Sequence, residues 1–186
     1  DGNAQDYHIG LDDTADSLVI GLGSALGTTT HMSFDSTGAI LKPLQPSYHA
    51  IGAAEANVTG DGTTITAGES DFSLTEIYDK NGDASNGVFT APVTGRYLIT
   101  AVAWMEDITS SVTNISLTIA TSNRSYYQAY NPTSMGRAAS ESLGLAHVTI
   151  ADVDASDTIT LTLMASGTSK TVDLGDISYF SIELLG

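Results

Sequence analysis

Histidine is the side chain best suited to acid–base chemistry near neutral pH, and this sequence has four, isolated from one another: His8, His31, His49 and His147. None of them has serine and carboxylate partners at the spacing of a catalytic triad. Ser24 lies in Gly-Ser-Ala and not in the Gly-x-Ser-x-Gly turn of hydrolases. Residues 21–27, GLGSALG, lack the lysine and the spacing of a phosphate-binding loop, which indicates turns. The sequence therefore predicts no enzyme and no catalytic residues.

Two stretches have acidic residues at a spacing similar to that of a calcium-binding loop. In DKNGD, residues 79–83, the glycine stands at the fourth instead of the sixth position, and no glutamate follows at the twelfth. A hairpin with an Asn-Gly turn is the better interpretation of that stretch. DVDASD, with Asp152, Asp154 and Asp157, is a similar case. We expect no metal ligands and no cofactor; calcium remains open, but no motif supports it.

The stretch NRSYYQAYNP, residues 123–132, is the best candidate for contact with a ligand. Tyrosine rings stack on glycan or protein surfaces while their hydroxyls form hydrogen bonds, and amide and guanidinium groups add polar partners. The candidate ligand-binding residues are Arg124, Tyr126, Tyr127, Tyr130 and Asn131. The alternative interpretation is that alternate tyrosines only fill the core of a sandwich.

The charge of the chain excludes several classes of partner. Six basic residues stand against 22 acidic ones, which gives a net charge of −16. Binding to nucleic acid, or to an anionic membrane surface, requires clustered lysine and arginine. No stretch approaches the roughly 18 apolar residues of a membrane span, and the opening DGNAQDYHIG is too acidic and polar for a signal peptide. We expect no nucleic acid and no membrane insertion, and the acidity favours solubility.

The absence of cysteine and the period-two patterns define the fold class. With no cysteine, a disulfide framework, a thiolate metal site and a cysteine nucleophile are all excluded. Strands with one apolar face are predicted in NISLTIA, residues 114–120, and DTITLTLM, residues 157–164. Turn signals separate such runs, and no convincing helix of ten residues is found. The chain is therefore predicted to be an all-β sandwich, jelly roll or barrel.

Two strands are apolar on both faces. In YLITAVAWM, residues 97–105, Leu98, Val102 and Trp104 alternate with an equally apolar set. In LGLAHVTI, residues 143–150, Val148 and Ile150 lie opposite the leucines. A sandwich buries only the inner face of each sheet, so the outer face is expected to contact another subunit. The alternative is that loops of the same chain cover it.

Residues 1–46 form a separate segment. Short alternating runs occur there, each followed by a turn: Tyr7, Ile9 and Leu11; Leu18, Ile20 and Leu22; Met32 and Phe34. These strands are too short and too sparse in apolar residues for a core of their own, so we expect them to wind around copies of the same segment. KPLQP, with Pro43 and Pro46, is the natural junction to a second domain over 47–186.

GVFTAPVTGRYLI, residues 87–99, resembles the F-x-A-P-x-x-G-x-Y signature of C1q/tumour-necrosis-factor-like domains. Residues 76–89 resemble the strand and hairpin before that signature, 147–163 its late hairpin, and YFSIELLG at the end its closing strand. The resemblance covers roughly 47–186. It implies a ten-stranded jelly roll assembled as a trimer, with a structural signature of Phe89, Pro92, Gly95, Tyr97 and Phe180.

The first segment resembles something else. Its phrases DSLVIGLG and FDSTGAI, followed by KPLQP, are similar to repeats near the ends of phage tail fibres and other virion fibre proteins. The Gly-X-Y stalk of animal C1q proteins is absent, as is cysteine. Both departures favour a phage or bacterial fibre tip.

These observations predict a non-enzymatic homotrimeric fibre tip on the virion, extracellular at host contact, with a short intertwined β stem and a C1q-like head. It would recognise a bacterial surface receptor, a glycan or an outer-membrane protein, through avidity. Its other partner would be an upstream fibre or virion protein. The alternatives are a structural capsid fibre or decoration protein, and a secreted C1q-like lectin or adhesin.

Overall fold

The computed structural model describes residues 6–23, 25–135 and 141–185. Ser24 therefore lies outside the described residues. Contacts divide the chain into two compact units, Asp1–Gln45, here called the stem, and Pro46–Gly186, here called the head. Within the described ranges, no helix is long and apolar enough to cross a membrane.

The stem is a single antiparallel sheet with the strand order β1-β2-β3-β4. Its strands are β1 (Tyr7–Asp12), β2 (Ser17–Leu22), β3 (Thr29–Phe34) and β4 (Ile40–Leu41). Ile9 pairs with Ile20, which in turn pairs with Met32, so the alternating apolar runs fall in register across three strands. A bulge between Ile20 and Gly21 shifts the pairing with β3.

The regular secondary structure of the head consists almost entirely of strands. They are β5 (Ser47–Gly52), β6 (Glu55–Thr59), β7 (Thr64–Thr66), β8 (Leu74–Asp79), β9 (Ala84–Ser85), β10 (Val88–Thr90), β11 (Gly95–Ile108), β12 (Asn114–Thr121), β13 (Ser125–Tyr130), β14 (Glu141–Val153), β15 (Thr158–Ser166), β16 (Val172–Leu174) and β17 (Tyr179–Leu184). Two short 3₁₀ helices accompany them, Ser70–Phe72 and Pro132–Met135.

The head strands form two sheets, which confirms the predicted jelly-roll sandwich. The first sheet, here the hydroxyl sheet, has the order β13-β12-β15-β10-β9, with β7 beside β15. The second, here the apolar sheet, has the order β8-β5-β17-β11-β14, and β16 and β6 continue it alongside the far end of β11. Three short strands, β6, β7 and β16, bring the count above the ten expected from the sequence.

The core lies between these two sheets and is built by strict alternation. Ile115, Leu117 and Ile119 of β12 are fully buried, while the serine and threonine between them are half-buried, as the period-two pattern predicts. The same holds for β15. Phe72, in the first 3₁₀ helix, is also fully buried and joins the same cluster. The head thus has one continuous apolar interior.

The corner before β11 is held from inside by aromatic rings. Phe89 and Tyr97 are fully buried, and their ring centroids lie 5.8 Å apart in an edge-to-face arrangement. The Tyr97 hydroxyl donates a hydrogen bond to the backbone oxygen of Val93, 2.7 Å away, which closes the turn that contains Pro92 and Gly95. Burial raises the pKa of Tyr97. Phe180, from the closing strand, is buried in the same aromatic cluster.

Two hairpins predicted from turn residues are wrong. Around DKNGD, β8 pairs with β5 and β9 pairs with β10, so the strands on either side of Asn81-Gly82 do not pair with each other. The turn at 152–157 joins β14 to β15, which lie in different sheets. Turn residues mark where the chain reverses, but the pairing partner is decided by packing far away in sequence. Asn86-Gly87, by contrast, is a true two-residue hairpin turn with both φ angles positive.

That hairpin turn touches another turn backbone to backbone. A Cβ on Gly68 would lie 2.0 Å from the backbone oxygen of Asn86, and one on Gly87 would lie 2.0 Å from that of Ala67. Both glycines also have positive φ angles. No side chain fits at either position, so the close approach of these two turns requires glycine.

Many of the acidic residues cap turns. The carboxylate of Asp79 accepts hydrogen bonds from the backbone nitrogens of Asp83 and Ala84, at 2.9 and 2.8 Å. Asp35 accepts one from Thr37 at 2.9 Å, and Asp61 accepts one from Thr63 at 2.9 Å. The pKa of Asp35 is lowered chiefly by a further hydrogen bond, from the side-chain hydroxyl of Thr37 at 2.7 Å, and the backbone hydrogen bond from Thr63 lowers the pKa of Asp61. Part of the acidity therefore shapes loops.

Candidate recognition surface

The tyrosine-rich stretch forms β13, an edge strand of the hydroxyl sheet that pairs with β12. Tyr127 lies on the outer face and is 71% exposed. Tyr126 and Tyr130 lie on the opposite face of the strand; Tyr126 packs against the core and Tyr130 is only partly exposed. The three tyrosines therefore do not form one patch, and the core interpretation holds for Tyr126.

Tyr127 stands at the end of a row of hydroxyl groups. The strand register places Thr118 beside Tyr127, Thr162 beside Thr118 and Thr66 beside Thr162. Three steps between strands of about 4.8 Å make this row roughly 14 Å long, comparable with a short oligosaccharide. Further hydroxyls on the same outer face come from Ser116, Thr64 and Thr160. The alternation in the sequence puts threonines outward, but only the register shows that they line up with Tyr127.

The other two candidate residues lie at the two ends of β13. Arg124 is in the turn before the strand, where its backbone nitrogen donates to the hydroxyl of Thr121 at 3.0 Å. Asn131 follows the strand, and its side-chain oxygen accepts a hydrogen bond from the backbone nitrogen of Thr133 at 3.1 Å. Asn131 thus caps the second 3₁₀ helix. Arg124 is exposed at the end of the strand that carries Tyr127.

The outer face of the apolar sheet has a different chemistry. Val148 and Ile150 of β14 are 62% and 55% exposed. Across the pair of strands, Ile150 lies beside Leu98, and two further half-buried side chains, Val102 and Trp104, continue the face along β11. The sequence predicted both faces of these strands to be apolar, and the structure agrees. The head's own loops leave Val148 and Ile150 uncovered.

Three of the four histidines occupy structural positions, and the fourth, His31, lies with its ring edge-on to that of Tyr7. His8 forms a hydrogen bond with the backbone oxygen of Gly23 at 3.0 Å. His49 lies 2.5 Å from the hydroxyl of Ser181, but these residues are direct neighbours on adjacent strands of an open sheet face, which accounts for their closeness. His147 is 5% exposed on the inner face of β14. Burial lowers the pKa of His147, opposed in part by a hydrogen bond with the backbone of Leu117.

A small cavity lies beside Tyr48 in the head. Its volume is about 160 Å³, and Glu76, Asn86 and Gly87 are among its lining residues. Ligand sites for small molecules usually measure about 300 Å³ or more. Burial and the nearby carboxylates of Glu76 and Asp79 raise the pKa of Tyr48 to about 12, so its hydroxyl stays protonated. The described residues contain no group of three histidine or acidic side chains that could hold a metal ion.

Comparison with known proteins identifies the fold of the head. Neither a protein-family model nor a curated protein sequence matches the chain. The globular domain of zebrafish complement 1qA protein superposes with a TM-score of 0.50 at 17% sequence identity, covering 76% of this chain and 98% of that one. Murine APRIL superposes with a TM-score of 0.49 at 10% identity, covering 76% of this chain and 99% of its own.

The head is therefore a C1q/TNF-like jelly roll, as its F-x-A-P-x-x-G-x-Y signature indicates. Phe89 and Tyr97 of that signature are the rings that hold the corner before β11. The similarity extends to the fold alone, and the resemblance of the stem to virion fibres remains a prediction.

Proposed function

We propose that this protein is a non-enzymatic homotrimeric recognition protein, the tip of a virion fibre that attaches to a bacterial surface receptor. The observation that carries the proposal is the difference between the outer faces of the two head sheets. One exposes apolar side chains along β11 and β14, and the other carries a row of hydroxyls beside an exposed tyrosine. The first is suited to packing against copies of the head, and the second to facing a ligand.

The apolar sheet supports self-association. Val148 and Ile150 are each more than half exposed, and no charged side chain lies between them along β14. Covering a side chain of this size contributes about 1 kcal/mol or more at such exposure. Three copies arranged around one axis can cover all three faces at once, and a closed ring leaves none exposed.

The hydroxyl sheet supports recognition. An aromatic ring that stacks on a sugar face, with hydroxyls aligned next to it, is a combination that binds neutral glycans. Tyr127 provides the ring, and Thr118 and Thr162 provide the aligned hydroxyls. A shallow open surface gives weak single-site affinity, and three equivalent sites raise the overall affinity through avidity. Arg124 adds a cation near the end of the row.

The experiment combines light scattering with adsorption to a panel of bacteria that includes polysaccharide-deficient strains. We expect an assembled mass of three chains of 19.3 kDa each, and adsorption that is lost with Tyr127→Ala while the mass is unchanged. Tyr130→Ala is the matched control, because it removes a tyrosine from the other face of the same strand. A mass of one chain refutes the trimer, and adsorption that is unaffected by Tyr127→Ala refutes the recognition surface. A trimer that adsorbs to no strain favours a structural capsid fibre.

A further inference from the structure

One face of the stem sheet is predominantly apolar, with Thr29 beside Leu22 at one end and the His31 ring 6.1 Å from that of Tyr7 between centroids. The register places nine large side chains on it, and these are Tyr7, Ile9, Leu11, Leu18, Ile20, Leu22, Met32, Phe34 and Ile40. The members on β1 are the most open: Tyr7 is 69%, Ile9 72% and Leu11 76% exposed. No charged side chain is part of this set. We call it the apolar stem face.

Part of the opposite face of the same sheet, around Gly10 and Val19, is covered by the stem's own chain. The loop after β2 crosses it, and the Leu26 side chain lies so close to Gly10 that a Cβ there would be 2.9 Å from it. Val19, the register partner of Gly10, is only 2% exposed. His8 is hydrogen-bonded to the backbone oxygen of Gly23 on the same loop. A single sheet needs a second layer on each apolar face, and here the loop provides one of the two.

We propose that the apolar stem face is a self-assembly surface that packs against the same face of two further copies of this chain. The number of copies rests on the proposed function, because an assembly of three heads contains three stems. The nine side chains together expose roughly 700 Å², close to the about 800 Å² per partner of a standard interface. Because the chain has a net charge of −16, electrostatic repulsion opposes association least where the joined surfaces carry no charge. Another copy of the chain supplies such a face at equal concentration.

Self-assembly also accounts for the size of the stem. A single-layer sheet of four short strands, one of them only two residues long, does not bury enough apolar surface to be stable alone. In a three-sided arrangement, each sheet supplies one wall and the nine side chains fill the interior. The stem is then stable only as part of the assembly.

The test uses the full chain and two substitutions at neighbouring positions. Ile40 and Leu41 of β4 are 58% and 50% exposed, but Ile40 lies on the apolar stem face and Leu41 on the opposite one. In a lone stem, Ile40→Asp and Leu41→Asp would both be near neutral, because both side chains face water. In the assembly, Ile40→Asp brings three carboxylates into an apolar interior. Ile9→Asp, at the most open strand, tests the same face a second time.

The measurements are light scattering and hydrogen exchange of the amides of β2. We expect slow exchange in the wild type and in Leu41→Asp, and exchange at least a hundredfold faster in Ile40→Asp and Ile9→Asp. Equal exchange in all four proteins overturns the proposal, as does unprotected β2 in the wild type. If the mass is three chains and β2 is unprotected, the stem proposal fails while the trimeric head stands. If the mass is two chains and β2 is protected, the threefold assembly itself is wrong.

Discussion

A carboxylate at position 148 should separate the assembly of the head from its folding. Val148 is 62% exposed in the chain, so Val148→Asp should change the stability of an isolated head by no more than about 0.5 kcal/mol. In the proposed trimer the same side chain is covered. Each copy then loses about 1 kcal/mol of apolar burial, and desolvation of the new carboxylate costs at least about 1 kcal/mol more.

Three copies together lose at least about 6 kcal/mol, a factor of roughly 10⁴ in the association constant. Because dissociation into three chains depends on the square of the concentration, the protein concentration at the midpoint of dissociation should rise roughly a hundredfold. Sedimentation across nanomolar to micromolar concentrations measures this midpoint. Ala129→Asp is the control, since it places the same charge on the exposed outer face of the hydroxyl sheet. A midpoint that Val148→Asp leaves equal to that of Ala129→Asp would refute the assignment of the two faces.

Three further substitutions test the head itself by thermal or denaturant unfolding. Gly68→Ala should destabilise it by at least about 2 kcal/mol, because the new Cβ meets the backbone of Asn86 at a positive φ. Tyr97→Phe should cost about 1 kcal/mol, through the lost hydrogen bond to Val93. Since burial lowers the pKa of His147, the unfolded chain takes up its proton more readily, so stability should fall as the pH drops below about 6.5. His147→Leu should remove that part of the decline; a wild-type stability that is constant down to pH 5 contradicts this reasoning.

The sequence predicted which residues face inward far better than it predicted which strands pair. Alternation is local, so Ile115, Leu117 and Ile119 could be assigned to one face directly, and the structure buries all three. Pairing is not local. Asn81-Gly82 and Asn86-Gly87 carry the same turn dipeptide, yet only the second joins two paired strands. The two turns differ because β8 pairs with β5, which is distant in sequence, while β9 pairs with β10.

The candidate ligand site could also be predicted from the sequence only in part. Tyr126 and Tyr127 are adjacent, and in a strand adjacent residues must face opposite ways. The three tyrosines of β13 therefore cannot share one surface, and the structure places Tyr126 against the core. The sequence could not show which residues lie beside Tyr127, because Thr118, Thr162 and Thr66 come from three other strands. Their alignment depends on a register fixed by the whole sheet.

Several acidic residues lie in turns, away from the apolar stem face and from the outer face of the apolar sheet. Asp35, Asp61 and Asp79 use their carboxylates to cap turns, which puts negative charge at the ends of strands and not on sheet faces. On β11 and β14, the pair Arg96 and Asp152 likewise lies at one end of the apolar face. Glu183 of β17 is an exception, because the register places it beside Leu98 on the same outer face. Since like charges would oppose any association of identical copies, holding carboxylates in turns favours the proposed self-assembly of so acidic a sequence.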